Sequence, residues 1–374
     1  MLNSEKAVKS MDKLFDKLIV CMDMAGCPNR CRHCWLGHTP NRTMPLTELE
    51  RIAALFRPYA DKMEVEGWYR EPDYRDDYKE LWALEESLSD DKLPHFELMS
   101  YWRAARDESY IPWLQERGIK ATQMTFFGGR DMTDKYVQRK GAYDEMVSLI
   151  PRLVEYGIIP RFQVFVNKEN IGEMEHIVRL AEETGLAKHP DFHAFVHAGG
   201  CDGANEALYD IRITPEDLEK IPQKLKDWTK QHLGKSLEEF SGQTEQNLYR
   251  EMVNEDVPLG YEVPAQPVLY IDHEYNVFPN LTAPQPAWCY GNLRKEAAPT
   301  ILQRVTEGDT HAMRVMRNVP VCELVRTCGD ESSLRLFDRG DYETYLLNRY
   351  TRTYSYVKSR RSCRMSVCFV LCAF

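Results

Sequence analysis

The sequence predicts an α/β chain built on a parallel sheet with its helices outside. Six short apolar, β-prone runs alternate with helical stretches between residues 17 and 213, and such alternation favours parallel strands joined by crossover helices. After residue 262 the pattern changes to two alternating runs around a turn, the mark of a β-hairpin, which predicts a small α+β extension. The implied divisions are a lead-in over 1–16, the α/β core over 17–213, a helical connector over 214–262, the extension over 263–350 and a tail over 351–374.

Residues 1–16 read as a short helix, and the apolar run Leu18, Ile19, Val20, Cys21, Met22 as the first strand. Thr47 and Glu50 stand at capping-box spacing after Pro45, and Leu49, Ile52, Ala53 and Phe56 follow at helical spacing until Pro58. A second strand is expected over 63–68, a helix over 75–88, a third strand over 96–99 and a short helix over 111–117 that stops at Gly118. The fourth strand, 121–127, ends at Gly128 and Gly129. Met146, Leu149, Ile150, Leu153 and Val154 form one stripe of a helix over 142–156, with Gly157 as its stop. A fifth strand over 162–166, a helix marked by Met174, Ile177, Val178 and Ala181, and a sixth strand over 192–196 complete the alternation. Thr214, Pro215, Glu216 and Asp217 have the order of a helix start, and another helix is expected over 243–255. The hairpin strands are 267–272 and 275–279, followed by a helix near 297–307.

Composition narrows the function. The 374 residues carry 43% hydrophobic and 28% charged side chains, an ordinary globular balance, with a net charge of −10. An acidic chain is poorly suited to sequence-independent nucleic-acid binding, and its one basic cluster, 358–364, lies in the tail. The start lacks the apolar core of an export signal, and no run approaches the ~20 apolar residues of a membrane span. Eleven cysteines in such a chain argue for reduced thiols or metal ligation in the cytoplasm, not a disulfide framework.

Three of those cysteines share one stretch. Cys27, Cys31 and Cys34 stand as Cys-x3-Cys-x2-Cys immediately after the first strand, with His33 before the third and Trp35 after it. Three thiolates on one loop can hold three corners of a [4Fe–4S] cube, which normally takes four, and so leave one iron open to a reacting ligand. A zinc site is the other reading, since His33 and His38 are near, although a structural zinc usually takes four ligands.

The loop resembles the cluster motif of the radical S-adenosylmethionine (SAM) superfamily. The resemblance implies that Cys27, Cys31 and Cys34 ligate the cluster, that SAM chelates its open iron, and that one electron cleaves SAM to methionine and a 5′-deoxyadenosyl radical. That radical takes a hydrogen atom from substrate. His33 stands where the family has an aromatic residue near the adenine. The resemblance also implies closure of the core into a partial (β/α)6 TIM-like barrel, with the chemistry on the loops at the carboxyl ends of its strands. Thr125 matches a hydroxyl of the family's fourth-strand pattern, while Phe127 replaces its Asp; Asp134, Gly141, Ala142 and Tyr143 match the loop-to-helix entry, and Asn167 and Asn170 the end of the fifth strand. After strand two, where many members carry Gly-Gly-Glu-Pro against the SAM amino group, this chain has Gly67 and Glu71-Pro72 without the double glycine; the segment reads as a SAM contact or as a surface turn.

The order of elements after 263 resembles the auxiliary-cluster extension (SPASM or twitch) of peptide- and small-molecule-modifying members. Asn280 stands where a ligating Cys is usual. Cys201, Cys289, Cys322 and Cys328 would number enough for a second Fe–S cluster, but their loose spacing equally fits buried thiols. His193 with His197, Glu64 with Glu66, and Arg130 with Asp131 are further candidates for substrate or proton contacts, each with a structural alternative. The expected activity is that of a radical SAM enzyme on a peptide, served by a flavodoxin- or ferredoxin-type reductant. A small metabolite is the rival substrate, and a non-catalytic iron–sulfur or zinc module the rival class.

Overall fold

The structure, a computed structural model, describes residues 13–34, 36–37, 42–67, 73–91, 99–198, 203–279 and 284–367, and all side chains in these but those of 203, 204 and 354–367. Several expectations fall outside these residues: the lead-in helix over 1–12, the strand at 96–98, Trp35, His38, Glu71, Pro72, Cys201, Asn280 and the final residues of the tail.

Five parallel strands of the core are in place: β1 (Phe15–Met22), β2 (Ala60–Glu66), β3 (Ala121–Phe126), β4 (Ile159–Phe165) and β5 (Ala194–His197). β1 pairs with β2, and β3, β4 and β5 form a second parallel block. Between them run α1 (Leu46–Phe56), α2 (Tyr78–Leu88), α3 (Tyr110–Glu116), α4 (Arg130–Val137), α5 (Ala142–Glu155) and α6 (Met174–Glu183). The stripe read from the sequence is the buried face of α5: Met146, Leu149, Ile150 and Leu153 share a core with Met124, Phe162 and Val164. Each such side chain withdrawn from water contributes roughly 1.5–3 kcal/mol. Alternation along the strands then turns Gln123, Thr125, Arg161 and Gln163 to the opposite face, where Gln163 Oε1 accepts from Gln123 Nε2 (2.9 Å) and Thr125 Oγ1 (3.0 Å).

Two local readings are corrected. No capping box forms at Thr47 and Glu50: Pro45, extended at φ −58° and ψ 142°, is the residue before α1, so Thr47 already lies in the first turn. Glu48 of that turn is used elsewhere, by Arg51 and Tyr275. The helix expected over 243–255 begins later, as α8 (Glu245–Met252), because Gln243 and Thr244 pair with Leu336 and Phe337 and Thr244 caps it. It follows α7 (Gln223–Leu233). The cap at Thr214 is present, with the Asp217 carboxylate accepting the Thr214 N–H at 2.9 Å.

The hairpin forms as β6 (Val268–Ile271) and β7 (Asn276–Pro279), and it is not separate from the core. β6 lies parallel to β1 on the edge away from β2, giving the order β2-β1-β6-β7-β8 with β8 (Gly291–Asn292). The reason is legible in β1 itself: Leu18, Val20, Cys21 and Met22 are all buried, which suits a central strand covered on both faces and paired on both edges. The helices α9 (Ala298–Glu307), α10 (His311–Asn318), α11 (Val321–Cys328) and α12 (Arg339–Val367) then share one core with β1, α1 and the hairpin. Leu269, fully buried in β6, measures that union. Leu269→Ala is expected to lower unfolding free energy by about 2–5 kcal/mol in chemical denaturation with a single transition; a cost under about 1 kcal/mol would mean that β6 carries no core packing.

Candidate functional site

The cysteine loop leaves the carboxyl end of β1 and is fixed at several points. Asp23 N–H donates to Ile271 O (2.9 Å), Met44 N–H to Met24 O (2.9 Å) and Gly26 N–H to Arg42 O (2.9 Å). Arg75, 4% exposed, donates to the carbonyls of Met24 (3.3 Å) and Met44 (3.0 Å) and is braced by Asp77. Past the first cysteine, Arg30 and Arg32 N–H groups donate to Val137 O (3.0 Å) and Tyr136 O (2.8 Å), and Arg139 Nε to Asn29 Oδ1 (2.6 Å). The loop is thus strapped to the C-terminal end of α4.

Cys27, Cys31 and Cys34 are each half-buried, and none is in a disulfide. Asn29 N–H donates to Cys27 Sγ at 3.4 Å. Three soft thiolates on one short loop fit the donor set of an iron–sulfur cube. His33 does not join them as a ligand. Its ring is wedged between Phe127 (4.7 Å between centroids) and Phe165 (4.8 Å), and burial lowers its pKa to about 3, so it is a neutral flat ring in an aromatic socket. Phe127, in place of the family's Asp, stacks on Tyr136 at 4.7 Å and completes that socket. Among the described residues no three His, Cys, Asp or Glu side chains group about one ion; a cube asks each thiolate to reach only its own iron.

The other expected cofactor contacts are placed as follows. Gly67 follows β2, and its N–H donates to the Glu85 carboxyl at 2.5 Å; a Cβ there would meet Glu85 Oε1 and Leu81 Cδ1, both at 2.7 Å, so a larger residue would have to displace those side chains. Glu71 lies outside the described residues. Thr125 sits near the end of β3, engaged with Gln163. Asn167 is buried beyond β4 and turned into its own loop: Nδ2 donates to the Tyr136 hydroxyl (2.7 Å) and Oδ1 accepts Glu169 N–H (2.9 Å).

Of the candidates for a second cluster, Cys201 lies outside the described residues, and Cys289, Cys322 and Cys328 do not group about one ion. Cys322 and Cys328 lie at the two ends of α11, six positions or ~9 Å apart along its axis. Cys289 donates to Gly291 O at 3.4 Å, and burial raises the pKa of Cys289 and Cys328. Of the remaining candidates, Glu64 pairs with Lys17, and Arg130 pairs with Asp144 rather than Asp131. His197, at the end of β5, is 5.8 Å from Phe165 between ring centroids and held neutral by burial, with a pKa lowered to about 4; His193 packs on His232.

Three features were not read from the sequence. The buried Cys21 thiol donates to Glu66 Oε2 (3.1 Å), and Tyr270 of β6 donates to Asp23 Oδ2 (3.1 Å); Cys21 pairs with both Glu66 and Tyr270 across the sheet. The shared parity of Cys21, Asp23 and Glu66 was available as a signal; the arrival of Tyr270 was not. The third is Glu85, 3% exposed, whose carboxyl is pushed up to about 8, chiefly by burial, with Asp73 and Glu66 adding to it. Below its ordinary value of 4.5 Glu85 is neutral whether the chain is folded or not. Between there and about 8 only the unfolded chain ionises, so folding stability falls as pH rises through that window. Glu85→Gln, which keeps the acceptor for Gly67, is expected to flatten that decline in denaturant titrations run across the window; an unchanged slope would show that Glu85 ionises normally.

Residues 23–181 match the sequence profile of the Radical SAM superfamily. No curated protein matches the chain. Among solved structures, hexahistidine-tagged anSMEcpe with bound AdoMet is similar at 13% identity over 91% of this chain and 95% of that one, with a TM-score of 0.51. Native anSMEcpe with bound AdoMet and Cp18Cys peptide is similar at 13% identity over 91% and 99%, with a TM-score of 0.50. Streptococcus suis SuiB bound to precursor peptide SuiA aligns at 13% identity over 88% and 76%, with a TM-score of 0.44. At such identities the anSMEcpe likeness is one of fold, and the profile match falls on the segment that holds the cysteine loop. Residues 23–181 are accordingly a radical SAM domain, the domain of a family of enzymes that work with a [4Fe–4S] cluster and AdoMet.

Proposed function

We propose that Cys27, Cys31 and Cys34 ligate one [4Fe–4S] cluster, that SAM takes its open corner, and that the enzyme acts on a peptide. The observation that carries the reading is a loop with three thiols at the carboxyl end of β1, backed by a neutral His33 in an aromatic socket. When bound, the cluster and SAM supply reductive cleavage of SAM to a radical that abstracts hydrogen from substrate. The chain's own residues bind and orient. Arg75 and the paired backbone of Met24 and Met44 hold the root of the loop. His33, Phe127 and Phe165 keep water from the loop's inner side. Gly67, Glu71 and Thr125 are the contacts we assign to SAM, while Asn167 serves by holding Tyr136. A peptide substrate is supported by the anSMEcpe structure that shares the fold and holds one. An acidic one-electron donor of the flavodoxin or ferredoxin type and a cytoplasmic setting suit an oxygen-sensitive cluster with reduced thiols.

The test is anaerobic reconstitution followed by SAM and dithionite. The reading expects 5′-deoxyadenosine, with Cys27→Ala, Cys31→Ala or Cys34→Ala lowering its release more than about 100-fold, beyond the loss of a mere supporting partner. Intact SAM beside a full cluster would establish a non-catalytic module instead. Enhancement of 5′-deoxyadenosine release by peptides and not by sugars or nucleosides supports the substrate class, and the reverse replaces it with a small metabolite.

A further inference from the structure

The inner face of the β3–β5 block carries a chain of amides whose direction is set by one cation. The opposite face is packed on the helices, with Met124, Phe126, Phe162, Val164, Ala194 and Val196 in one core. On the inner face Gln123 lies opposite Arg161, and Thr125 opposite Gln163, with Phe195 of β5 next to Gln163. Gln123, Thr125, Arg161 and Gln163 are each half-buried, so solvent reaches this wall. Two residues further along the same face, about 7 Å, are Phe127 and Phe165, which hold the His33 ring beside the cysteine loop.

The direction follows from what each group can do. A guanidinium only donates, so the atom facing Arg161 Nη2 at 3.1 Å is the Gln123 oxygen. The Gln123 NH2 then faces Gln163, whose Oε1 accepts it at 2.9 Å and accepts the Thr125 hydroxyl at 3.0 Å. With its oxygen taken twice, Gln163 has its NH2 turned the other way, and that NH2 makes no hydrogen bond among the described residues. The groups around it are neutral. Phe165 follows on its own strand, Phe195 lies across from it on β5, and His197, opposite Phe165, is uncharged through burial.

We infer that Gln163 is a substrate-binding residue whose NH2 donates to a backbone carbonyl of a peptide, with Arg161 and Gln123 as positioning residues that set its direction. The inference rests on the proposed function and deepens it, naming the part of a peptide that this wall reads. The chemistry selects the group. Two N–H donors on a neutral amide match a carbonyl oxygen, which every peptide bond presents. Neutral surroundings give a charged side chain nothing to offset its lost hydration. Recognition through the main chain is indifferent to sequence, so Gln163 fixes the depth and orientation of the peptide below the cysteine loop and leaves the choice of side chains to other contacts.

The experiment measures binding of fluorescein-labelled random-sequence peptides with amidated carboxyl ends to the reconstituted protein, by fluorescence anisotropy without oxygen. Affinity for S-adenosylhomocysteine is measured in parallel. Gln163→Glu swaps the donor for an acceptor of the same size, and Gln163→Met removes it without adding charge. Each is expected to weaken peptide binding about tenfold, the worth of one hydrogen bond. Gln123→Glu still accepts from Arg161 but has nothing to donate, so the Gln163 amide turns over and spends its NH2 inward. It is expected to cost as much, and Gln123→Glu combined with Gln163→Met no more than either alone, since one interaction is lost once. Additive losses in the double variant overturn the proposal, as does unchanged peptide affinity in both Gln163 variants with their iron content retained. A loss confined to S-adenosylhomocysteine also overturns it and gives the amide to the cofactor. A parent protein that binds none of the peptides overturns the peptide reading of the proposed function, and this assignment with it; parent binding that the variants share overturns the assignment alone.

Discussion

The pairing of β1 on both edges is the constraint from which the site follows. β1 delivers the cysteine loop, and a strand that ended a sheet could shift in register or fray at its carboxyl end. Here β2 lies on one side and β6 on the other, with Val20 opposite both Val65 and Leu269 and Cys21 opposite both Glu66 and Tyr270. The same register places the Tyr270 hydroxyl on Asp23, the first residue beyond the strand. A loop whose root is held in this way can present three thiols without a disulfide or a long covalent span to keep them together.

This arrangement makes the C-terminal extension part of the site. Its hairpin completes the sheet, its helices close the core over β1 and α1, and Glu48 of α1 bonds to Tyr275 in the hairpin. The inner ends of β1 and β2 gather Glu66, Glu85 and the Cys21 thiol away from water. Burial of such groups opposes stability unless they are neutral or hydrogen-bonded, and Glu85 meets both conditions: it is protonated near neutral pH and bonded to Gly67. Gly67 leaves room for this packing, because a side chain there would push against the Glu85 carboxyl and Leu81.

Much of this was legible in the chain itself, and the misses share a cause. The stripe on α5 and the alternating hairpin follow from periodicity within a dozen residues, and the cysteine loop from spacing within eight; all three are local signals. Thr47 misled because its capping spacing is intact while the neighbouring Pro45 occupies the cap. Phe127 looked like a loss of the family's Asp, yet it packs with Tyr136 and His33 in a socket that an ionised carboxylate would disrupt. Tyr270 and Asp23 are 247 residues apart, and no local pattern couples a hairpin strand to the first strand of the core. Asn167, read by position as a cofactor contact, bonds through its amide to the Tyr136 hydroxyl and the Glu169 N–H.

The most direct test of a cube held by three protein thiolates is electron paramagnetic resonance of the anaerobically reconstituted, reduced protein with and without SAM, beside metal analysis. The account predicts about four irons per chain, with a reduced-cluster signal that changes when SAM is added. Bound zinc in place of iron, or a cluster signal indifferent to SAM, would contradict it.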